Sequence, residues 1–262
     1  MRQVYDMKIQ LYELEQPKLN EPVMICGLPG SAFVGKFALD HLVSELPALA
    51  LAEVYSDAFP SQVMIKEDGS SSLLRTELYY RKSPDGSKDA ILLTGDAQPT
   101  GSEAEHVLAE FLIDFGREKF KISRLVTLGA YVTGTKSTEP RVFATGTDRD
   151  ITTQLEKAGC ILMRDGGITG MNGLLLGMGK VKGVEGYSLL GETPGFSFDP
   201  RASEIVLESL SRLAGITTDL KKLRQKGNDA LETLKKIELM SGEQSSESEL
   251  EPGQRKRLDY IS

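Results

Sequence analysis

The feature of this sequence that most constrains its fold is an apolar run, a glycine-rich turn and a second apolar segment within residues 23–46. Val23 to Cys26 are four consecutive apolar residues, which is typical of a strand buried on both faces. The following Gly27-Leu28-Pro29-Gly30 permits a sharp turn with exposed backbone N–H groups. The apolar spacing from Phe33 to Leu46 predicts a helix, which Pro47 ends. We therefore expect an α/β fold organised around this strand, turn and helix.

The same turn contains most of a phosphate-binding P-loop. Gly30, Gly35 and Lys36 stand at the spacing of that motif. A P-loop carries Ser or Thr next, to place a hydroxyl on Mg²⁺, and this chain has Phe37. Asp96, which follows another apolar run, resembles the acidic residue that helps to hold Mg²⁺ in such sites. Two interpretations stay open: a nucleotide site formed by Gly30, Gly35 and Lys36, or, as Phe37 favours, a structural corner that joins a strand to a helix.

Alternating strand and helix patterns continue through the body of the chain. Strands are predicted at residues 6–14, 48–55, 90–94, 125–128, 141–145, 160–163 and 184–190. Helices are predicted at residues 102–118, 148–159, 199–214 and 219–239, and a glycine-rich turn at 166–173 leads into another. Residues 62–66 and 73–81 alternate around a turn, which predicts a hairpin. The prediction is an α/β fold with a mixed, mostly parallel sheet, helices on both faces and a C-terminal helical segment.

Several predicted loops carry polar side chains at the ends of strands. In open α/β sheets such loops meet at one edge and form ligand sites. The polar residues are Asp96, Gln98, Thr133, Thr135, Asp165, Asn172 and Glu192. No nucleophile stands near a base, and no Gly-x-Ser-x-Gly elbow occurs. No catalytic residue is therefore predicted, although a nucleotide- or nucleoside-binding enzyme that uses the loops around Gly30–Lys36 remains the alternative.

Composition narrows the classes of partner and the compartment. The net charge of −7 disfavours general binding to nucleic acid or to anionic membranes. No apolar run approaches the roughly 20 residues of a membrane span. Cys26 and Cys160 lie in apolar runs and are predicted to be buried thiols, which fits a reducing, cytoplasmic location. The two histidines, His41 and His106, have no metal-ligand partner at helical spacing, so neither a metal nor another cofactor is predicted.

The chain divides into three parts by composition. Residues 1–215 form the α/β domain, and residues 216–240 form an amphipathic helix with an apolar stripe. Residues 241–262 are rich in Ser, Glu, Gln, Gly and Pro and are predicted to be a flexible tail. Within this tail Arg255-Lys256-Arg257 is interpreted as a solvated basic stretch.

Five of these turns, in this order, resemble the PAC2 family of proteasome assembly chaperones and their archaeal relatives. The resemblance spans most of residues 10–215. It implies a phosphorylase- or hydrolase-like α/β fold, a homo-oligomer, and binding to 20S proteasome subunits without chemistry. The stretches that carry it are Gly27–Gly30 with Val34-Gly35, Thr94–Pro99, Leu128–Tyr131, Ile168–Leu175, and Glu192–Gly195 with Asp199-Pro200.

The resemblance also implies a binding role for the end of the chain. Members of this group that engage the proteasome often end in a hydrophobic residue, Tyr and any residue. Here Tyr260 is followed by Ile261 and Ser262, so Tyr stands one place too early, and Asp259 precedes it. An aromatic anchor on a flexible arm, with a terminal carboxylate that meets a lysine, is still a sensible binding element. The predicted partner-binding residues are Leu258, Asp259, Tyr260, Ile261 and Ser262.

Overall fold

The computed structural model describes residues 7–84, 88–195, 198–229 and 231–233 of the chain. The strands are β1 (Ile9–Glu13), β2 (Val23–Cys26), β3 (Leu49–Ser56), β4 (Val63–Ile65), β5 (Ser71–Leu73), β6 (Thr76–Arg81), β7 (Ala90–Gly95), β8 (Arg124–Val132), β9 (Val142–Gly146), β10 (Ile161–Leu162) and β11 (Gly186–Thr193). The helices are α1 (Val34–Glu45), α2 (Ser102–Asp114), α3 (Arg149–Lys157), α4 (Gly170–Val181) and α5 (Pro200–Ala214). In the described residues, nine strands form one sheet in the order β1-β3-β6-β7-β2-β8-β11-β9-β10, while β4 and β5 form a separate hairpin.

The centre of the sheet is parallel and its flanks contain antiparallel pairs. β7, β2, β8 and β11 are mutually parallel neighbours, with Val23 opposite Ala90 on one side and Arg124 on the other. β1, β3 and β6 add an antiparallel flank next to β7, and β9 pairs antiparallel with β11. Every residue of β2, β7 and β11 is buried, as expected for strands covered on both faces. The predicted mixed sheet is confirmed, with its parallel pairs concentrated in the centre.

Helices cover both faces of this sheet, as predicted. Consecutive strand residues point to opposite faces, so Met24 and Ile25 enter different cores. Ile25 packs with Val126 in the core beneath α1, α3 and α5. Met24 packs with Leu125 in the core beneath α2 and α4. The two cores therefore share the central strands and differ in the helices that close them.

Capping residues in the sequence set several helix ends. The carboxylate of Asp148 accepts a backbone hydrogen bond from the first turn of α3 at 2.9 Å. Asp199 does the same for α5, where Pro200 is the first helical residue. Gly215 follows α5 with a φ of 70°, a conformation that favours glycine. Ser102 is the first residue of α2, and Gly101 precedes it as the cap.

Two strands predicted to end at residues 128 and 190 are longer than predicted, because the glycine after each predicted end lies inside the strand. β8 continues through Gly129 to Val132, and β11 continues through Gly191 to Thr193. A Cβ on Gly191 would lie 2.5 Å from the carbonyl oxygen of Ala202 in α5. Glycine here permits close packing of a helix on the sheet, which is a different use from a turn.

The predicted hairpin between residues 62–66 and 73–81 is also redistributed. β4 pairs with β5, with Val63 opposite Leu73. β6 instead enters the main sheet between β3 and β7. Asp96 accepts a hydrogen bond from the backbone N–H of Arg75 at 3.1 Å, which ties the start of β6 to the end of β7. The chain therefore leaves the small hairpin just before this contact.

Helical residues 220–229 lie antiparallel to α1. Lys222 Nζ is 2.6 Å from a carboxylate oxygen of Glu45, the last residue of α1. A Cβ on Gly227 would lie 3.8 Å from the ring of Phe37, near the beginning of α1. The chain therefore returns along α1 to the edge of the sheet where β2 ends.

This segment is continuous with the core of the domain. Ile216 is buried, and Leu223 is fully buried in the same core as α1 and α5. The rest of the helix predicted to residue 239 and the tail predicted over residues 241–262 lie outside the described residues, apart from helical residues 231–233. In the part of the chain that the structure describes, no helix combines the length and the apolar character needed to cross a membrane.

Candidate functional site

A pocket of about 440 Å³ opens at the edge of the sheet where β2 and β8 end. We call it the edge pocket. Its walls come from the turn after β2, the end of β8, and the segment that leads into α4. The residues that line it are Leu28, Gly30, Ser31, Gly35, Gln98, Gly129, Ala130, Tyr131, Val132, Met163, Asp165, Gly166, Gly167, Ile168, Thr169, Gly170, Asn172 and Leu190.

The corner beside the pocket depends on two glycines for close backbone approach. A Cβ on Gly35 would lie 2.1 Å from the carbonyl oxygen of Leu128 in β8. A Cβ on Gly27 would lie 2.3 Å from the carbonyl oxygen of Gly35. Both distances are far shorter than van der Waals contact, so α1 can rest on the sheet only because these side chains are absent. Packing alone therefore accounts for Gly27 and Gly35.

The turn itself has an unusual backbone path. Ser31–Phe33 form a single 3-10 turn before α1, and Ala32 and Phe33 have φ values of 51° and 54°. Positive φ values are uncommon in residues other than glycine. This path leaves the Phe33 side chain 52% exposed at the edge of the sheet. The turn thus presents an aromatic side chain where a P-loop presents a phosphate cradle.

Lys36 is held by α1 and β7 and does not line the edge pocket. Its Nζ lies 2.8 Å from Asp40 Oδ1 and 3.1 Å from Thr94 Oγ1. The Thr94 hydroxyl donates to the same carboxylate oxygen at 2.9 Å. The structure therefore brings Gly30 and Gly35 to one pocket, while the third residue of the motif is engaged in an ion pair.

Gln98 joins two of the turns that form the pocket. Its Nε2 donates to the carbonyl oxygen of Pro29 in the turn after β2. Its Oε1 accepts a hydrogen bond from the backbone N–H of Met171 at 2.8 Å, in the first turn of α4. One amide side chain, from the loop after β7, therefore fixes the spacing across the pocket.

The polar residues predicted at the loop edge fall into separate groups. Gln98, Asp165 and Asn172 meet at the edge pocket. Asp96 is bonded to the Arg75 backbone instead. Thr133 donates from its hydroxyl to the carbonyl oxygen of Thr135 at 2.9 Å, outside the pocket lining. The prediction that these loops converge holds for the ends of β2, β7, β8 and β10, but not all of the predicted polar residues meet there.

Glu192 is a buried carboxylate at the same edge and forms an ion pair with Arg141, whose side chain is exposed. The Glu192 side chain is 6% exposed and accepts hydrogen bonds from the backbone N–H, Nε and Nη2 of Arg141 at 2.9–3.0 Å. These hydrogen bonds hold the pKa of Glu192 below its usual range. The pair joins β11 to the start of β9 and so stabilises this corner of the sheet.

An aromatic stack, missed by the sequence reasoning, borders the edge pocket. The rings of Tyr131 and Phe143 are stacked with centroids 3.8 Å apart and planes inclined by 14°. The guanidinium of Arg141 lies over the Phe143 ring at 5.3 Å. Because the two rings are twelve residues apart in sequence and β11 separates their strands in the sheet, only the strand order reveals the contact.

The hairpin of β4 and β5 exposes an apolar surface, which we call the apolar ribbon. Val63, Met64 and Ile65 are 50%, 43% and 66% exposed, and Leu73 is 62% exposed. A two-stranded hairpin of three residues a side has little stability of its own in water. Exposed apolar groups of this size are typical of a surface that contacts another protein.

The cysteines and metal-ligating residues add no second site in the described ranges. Cys26 and Cys160 are buried and unpaired, as predicted, and burial raises the pKa of both thiols. Among the residues that the structure describes, no three His, Cys, Asp or Glu side chains are grouped as metal ligands. The chemistry available at the sheet edge is therefore that of the edge pocket and its neighbours.

The fold and its glycine-bearing corner define a known class of α/β domain. The model of the PAC2 family matches residues 24–238, a range that contains the corner, the edge pocket and the helical residues after α5. The chain belongs to the PAC2 family, which confirms the resemblance inferred from its turns.

Relatives match over nearly the whole chain. The uncharacterized protein MJ1210 of Methanocaldococcus jannaschii is 30% identical over 244 residues, which is 93% of each chain. PbaB of Pyrococcus furiosus, described as an archaeal proteasome activator, is 36% identical with a TM-score of 0.81, over 88% of this chain and 98% of that chain. PbaA of the same organism, described as an archaeal homolog of proteasome-assembly chaperone, is 25% identical with a TM-score of 0.73, over 92% and 96%.

Proposed function

We propose that the protein is a non-catalytic proteasome assembly chaperone or proteasome-interacting protein, which binds 20S subunits as a homo-oligomer in the cytoplasm. The observation that carries this proposal is the similarity to PbaB, an archaeal proteasome activator, over 98% of that chain at 36% identity. The similarity to PbaA supports the same kind of partner. Both similarities extend over the whole domain, so they do not depend on one shared motif.

The proposed contact at the end of the chain is formed by residues 258–262. Tyr260 supplies an aromatic anchor, and Leu258 and Ile261 add apolar surface around it. A single short segment binds weakly. Several copies on one oligomer bind more tightly, because each bound segment raises the effective concentration of the next. Oligomerisation is thus part of the proposed mechanism.

The path of the chain supports a second contact next to the first. Helical residues 220–229 return along α1, so the chain reaches residue 229 at the edge of the sheet where β2 ends. The apolar ribbon leaves the sheet at this same edge. It follows β3, and the end of β3 lies opposite Thr76. Thr76 is in turn paired with Gly95 at the end of β7. The ribbon and residue 229 therefore lie at the same edge of the sheet.

We assign the apolar ribbon to the same partner, as a docking surface for apolar side chains of a 20S subunit. The four apolar side chains of the ribbon are between 43% and 66% exposed in the described part of the chain. A C-terminal anchor and the apolar ribbon of one oligomer can engage one partner together. The ribbon then supplies area, and the C-terminal segments supply the aromatic anchors.

Native mass spectrometry of the full-length chain, with and without archaeal 20S particles, tests both contacts. Deletion of residues 258–262 is expected to weaken the binding by about tenfold or more while leaving the domain folded. Ile65→Lys is expected to weaken it as well, because a charge replaces an apolar contact. The matched control is Val181→Lys, since Val181 is 86% exposed at the end of α4, on the opposite edge of the sheet.

The outcomes separate the parts of the proposal. Absence of any complex between the full-length protein and 20S particles would refute the function. Unchanged binding after the deletion would refute the role of residues 258–262. If Ile65→Lys changes the mass of the oligomer and leaves its affinity for 20S particles intact, the ribbon is a contact between copies instead.

A further inference from the structure

The edge pocket contains a buried acceptor whose hydrogen bond is not made by the protein. Asn172 is 9% exposed, and its Nδ2 donates to the carbonyl oxygen of Leu128 at 2.9 Å. Oδ1 of the same side chain is buried and has no hydrogen-bond partner among the described residues. Buried side-chain oxygens are nearly always bonded to protein, water or ligand. Asn172 is one of the lining residues, so a small turn of its side chain would present this oxygen to a donor group of a molecule in the pocket.

The charge of the lining favours a neutral ligand with donor groups. Asp165 is the one charged side chain among the lining residues, all of which lie in the described ranges. Lys36 is already paired with Asp40, outside the lining. A phosphate group would meet no cationic side chain here, whereas carboxylate and amide oxygens are suited to hydroxyl groups, as carboxylates that bind ribose are.

The other walls are suited to a flat ring. Tyr131 lines the pocket and is held in place by its stack on Phe143. Leu28 and Leu190 also belong to the lining but are only 2% and 3% exposed, so Tyr131 supplies most of the apolar contact for a ring. The volume of about 440 Å³ lies in the usual range for small-molecule sites, roughly 300–1,000 Å³. The lining is mostly polar, and Tyr131 supplies an aromatic surface within it.

We propose that the edge pocket binds a nucleoside. Its sugar hydroxyls donate to Asn172 Oδ1 and to the Asp165 carboxylate, and its base lies against Tyr131. The turn containing Gly30 then forms part of a binding site for a small molecule, and no reaction is proposed there. This inference goes beyond the proposed proteasome contacts and does not depend on them, since residues 258–262 and the apolar ribbon are not part of the pocket.

Gly30 offers a variant that fills the pocket without disturbing the fold. Its backbone is extended, with φ of −168° and ψ of −163°, a conformation that any residue adopts. The nearest atoms to a Cβ at this position, in Gln98 and Leu28, are 3.9 Å away. Gly30→Val therefore places a branched side chain in open space beside Gln98. Gly177→Ala is the matched control, because Gly177 lies outside the lining and has no atom within 4 Å of its Cβ position.

Calorimetric titration of the full-length protein tests the inference. The probes are adenosine, guanosine, cytidine and uridine, the 2′,3′-dideoxy form of each, ribose, and inorganic phosphate. We expect at least one nucleoside to bind, its dideoxy form to bind about tenfold more weakly, and Gly30→Val to reduce its affinity at least tenfold. Gly177→Ala is expected to bind as the parent protein does.

Three results would overturn the inference. The first is that none of the four nucleosides binds. The second is that Gly30→Val binds a nucleoside as tightly as the parent protein does. The third is that phosphate binds while no nucleoside does. The last result would assign the site to an anion at the start of α4, where backbone N–H groups attract negative charge. None of these results bears on the binding of 20S particles, so the two proposals fail separately.

Discussion

Replacement of Gly35 by alanine tests whether this glycine serves packing. The new Cβ would lie 2.1 Å from the carbonyl oxygen of Leu128, whereas ordinary contact begins at 3.4 Å. The obstacle is backbone in a central strand and cannot rotate away, so α1 must move outward by more than about 1 Å. Overpacking of this kind costs about 1–3 kcal/mol.

Part of this loss in the free energy of unfolding is offset by two stabilising effects of alanine. Alanine restricts the unfolded chain and favours helix, which together stabilise a protein by about 0.5–1 kcal/mol. With the clash at the upper end of its range, Gly35→Ala should lower the free energy of unfolding by about 2 kcal/mol. For a domain of this size that corresponds to a melting temperature roughly 4–8 °C lower.

Urea denaturation followed by circular dichroism measures this difference. Gly177→Ala is again the matched control, because Gly177 lies inside α4 with open space around its Cβ position. It should gain about 0.5–1 kcal/mol from the same substitution. The two variants could instead change the free energy of unfolding in the same direction and by similar amounts. In that case Gly35 is not needed for packing of α1 on the sheet.

Two further predictions concern pH. Burial, with a contribution from Lys226, lowers the pKa of His41, whose Nε2 lies 2.9 Å from Thr218 Oγ1. The unfolded state then binds more protons below about pH 6.5, so the melting temperature should fall as the pH falls through this region, and His41→Gln should flatten that dependence. Glu192 has a lowered pKa, so its stabilising effect is present at neutral pH and is lost in acid. Arg141→Met should therefore lose more stability, by urea denaturation, at pH 7 than at pH 4; equal losses would contradict this.

The strands at the centre of the fold could be predicted from the local sequence alone. β2 is a short, wholly apolar run, and β7 is apolar up to Thr94. Apolar runs of this length next to turn residues are typical of strands buried on both faces. The helix ends marked by Asp148 and Asp199 were equally predictable, because capping is a local interaction. Such features depend on neighbours within a few residues.

The features that sequence reasoning missed depend on partners distant in the chain. The predicted strands end before Gly129 and Gly191, yet each glycine lies inside a strand under a helix. Nothing in the local sequence distinguishes a glycine that makes a turn from one that permits close packing. The pairing of β5 with β4, and the entry of β6 into the main sheet, follow from tertiary contacts such as that of Asp96 with Arg75.

The candidate site was predictable in outline. The convergence of loops at one edge follows from the α/β pattern and brought Gly30, Gly35 and Asn172 into one pocket. The spacing of the P-loop motif could not reveal that Lys36 turns toward Asp40 and Thr94. The roles of residues 258–262 stay a prediction, because these residues lie outside those that the structure describes.

The return of helical residues 220–229 along α1 has a mechanical consequence. Leu223 is buried in the core, and Lys222 and Lys226 both pair with Glu45 at the far end of α1. Tension applied to the chain beyond residue 233 would pull this helix lengthwise past α1, so that its contacts are loaded together in shear and do not peel apart one at a time. Force that a partner applies to the C-terminal segment would thus be transmitted to the core of the domain.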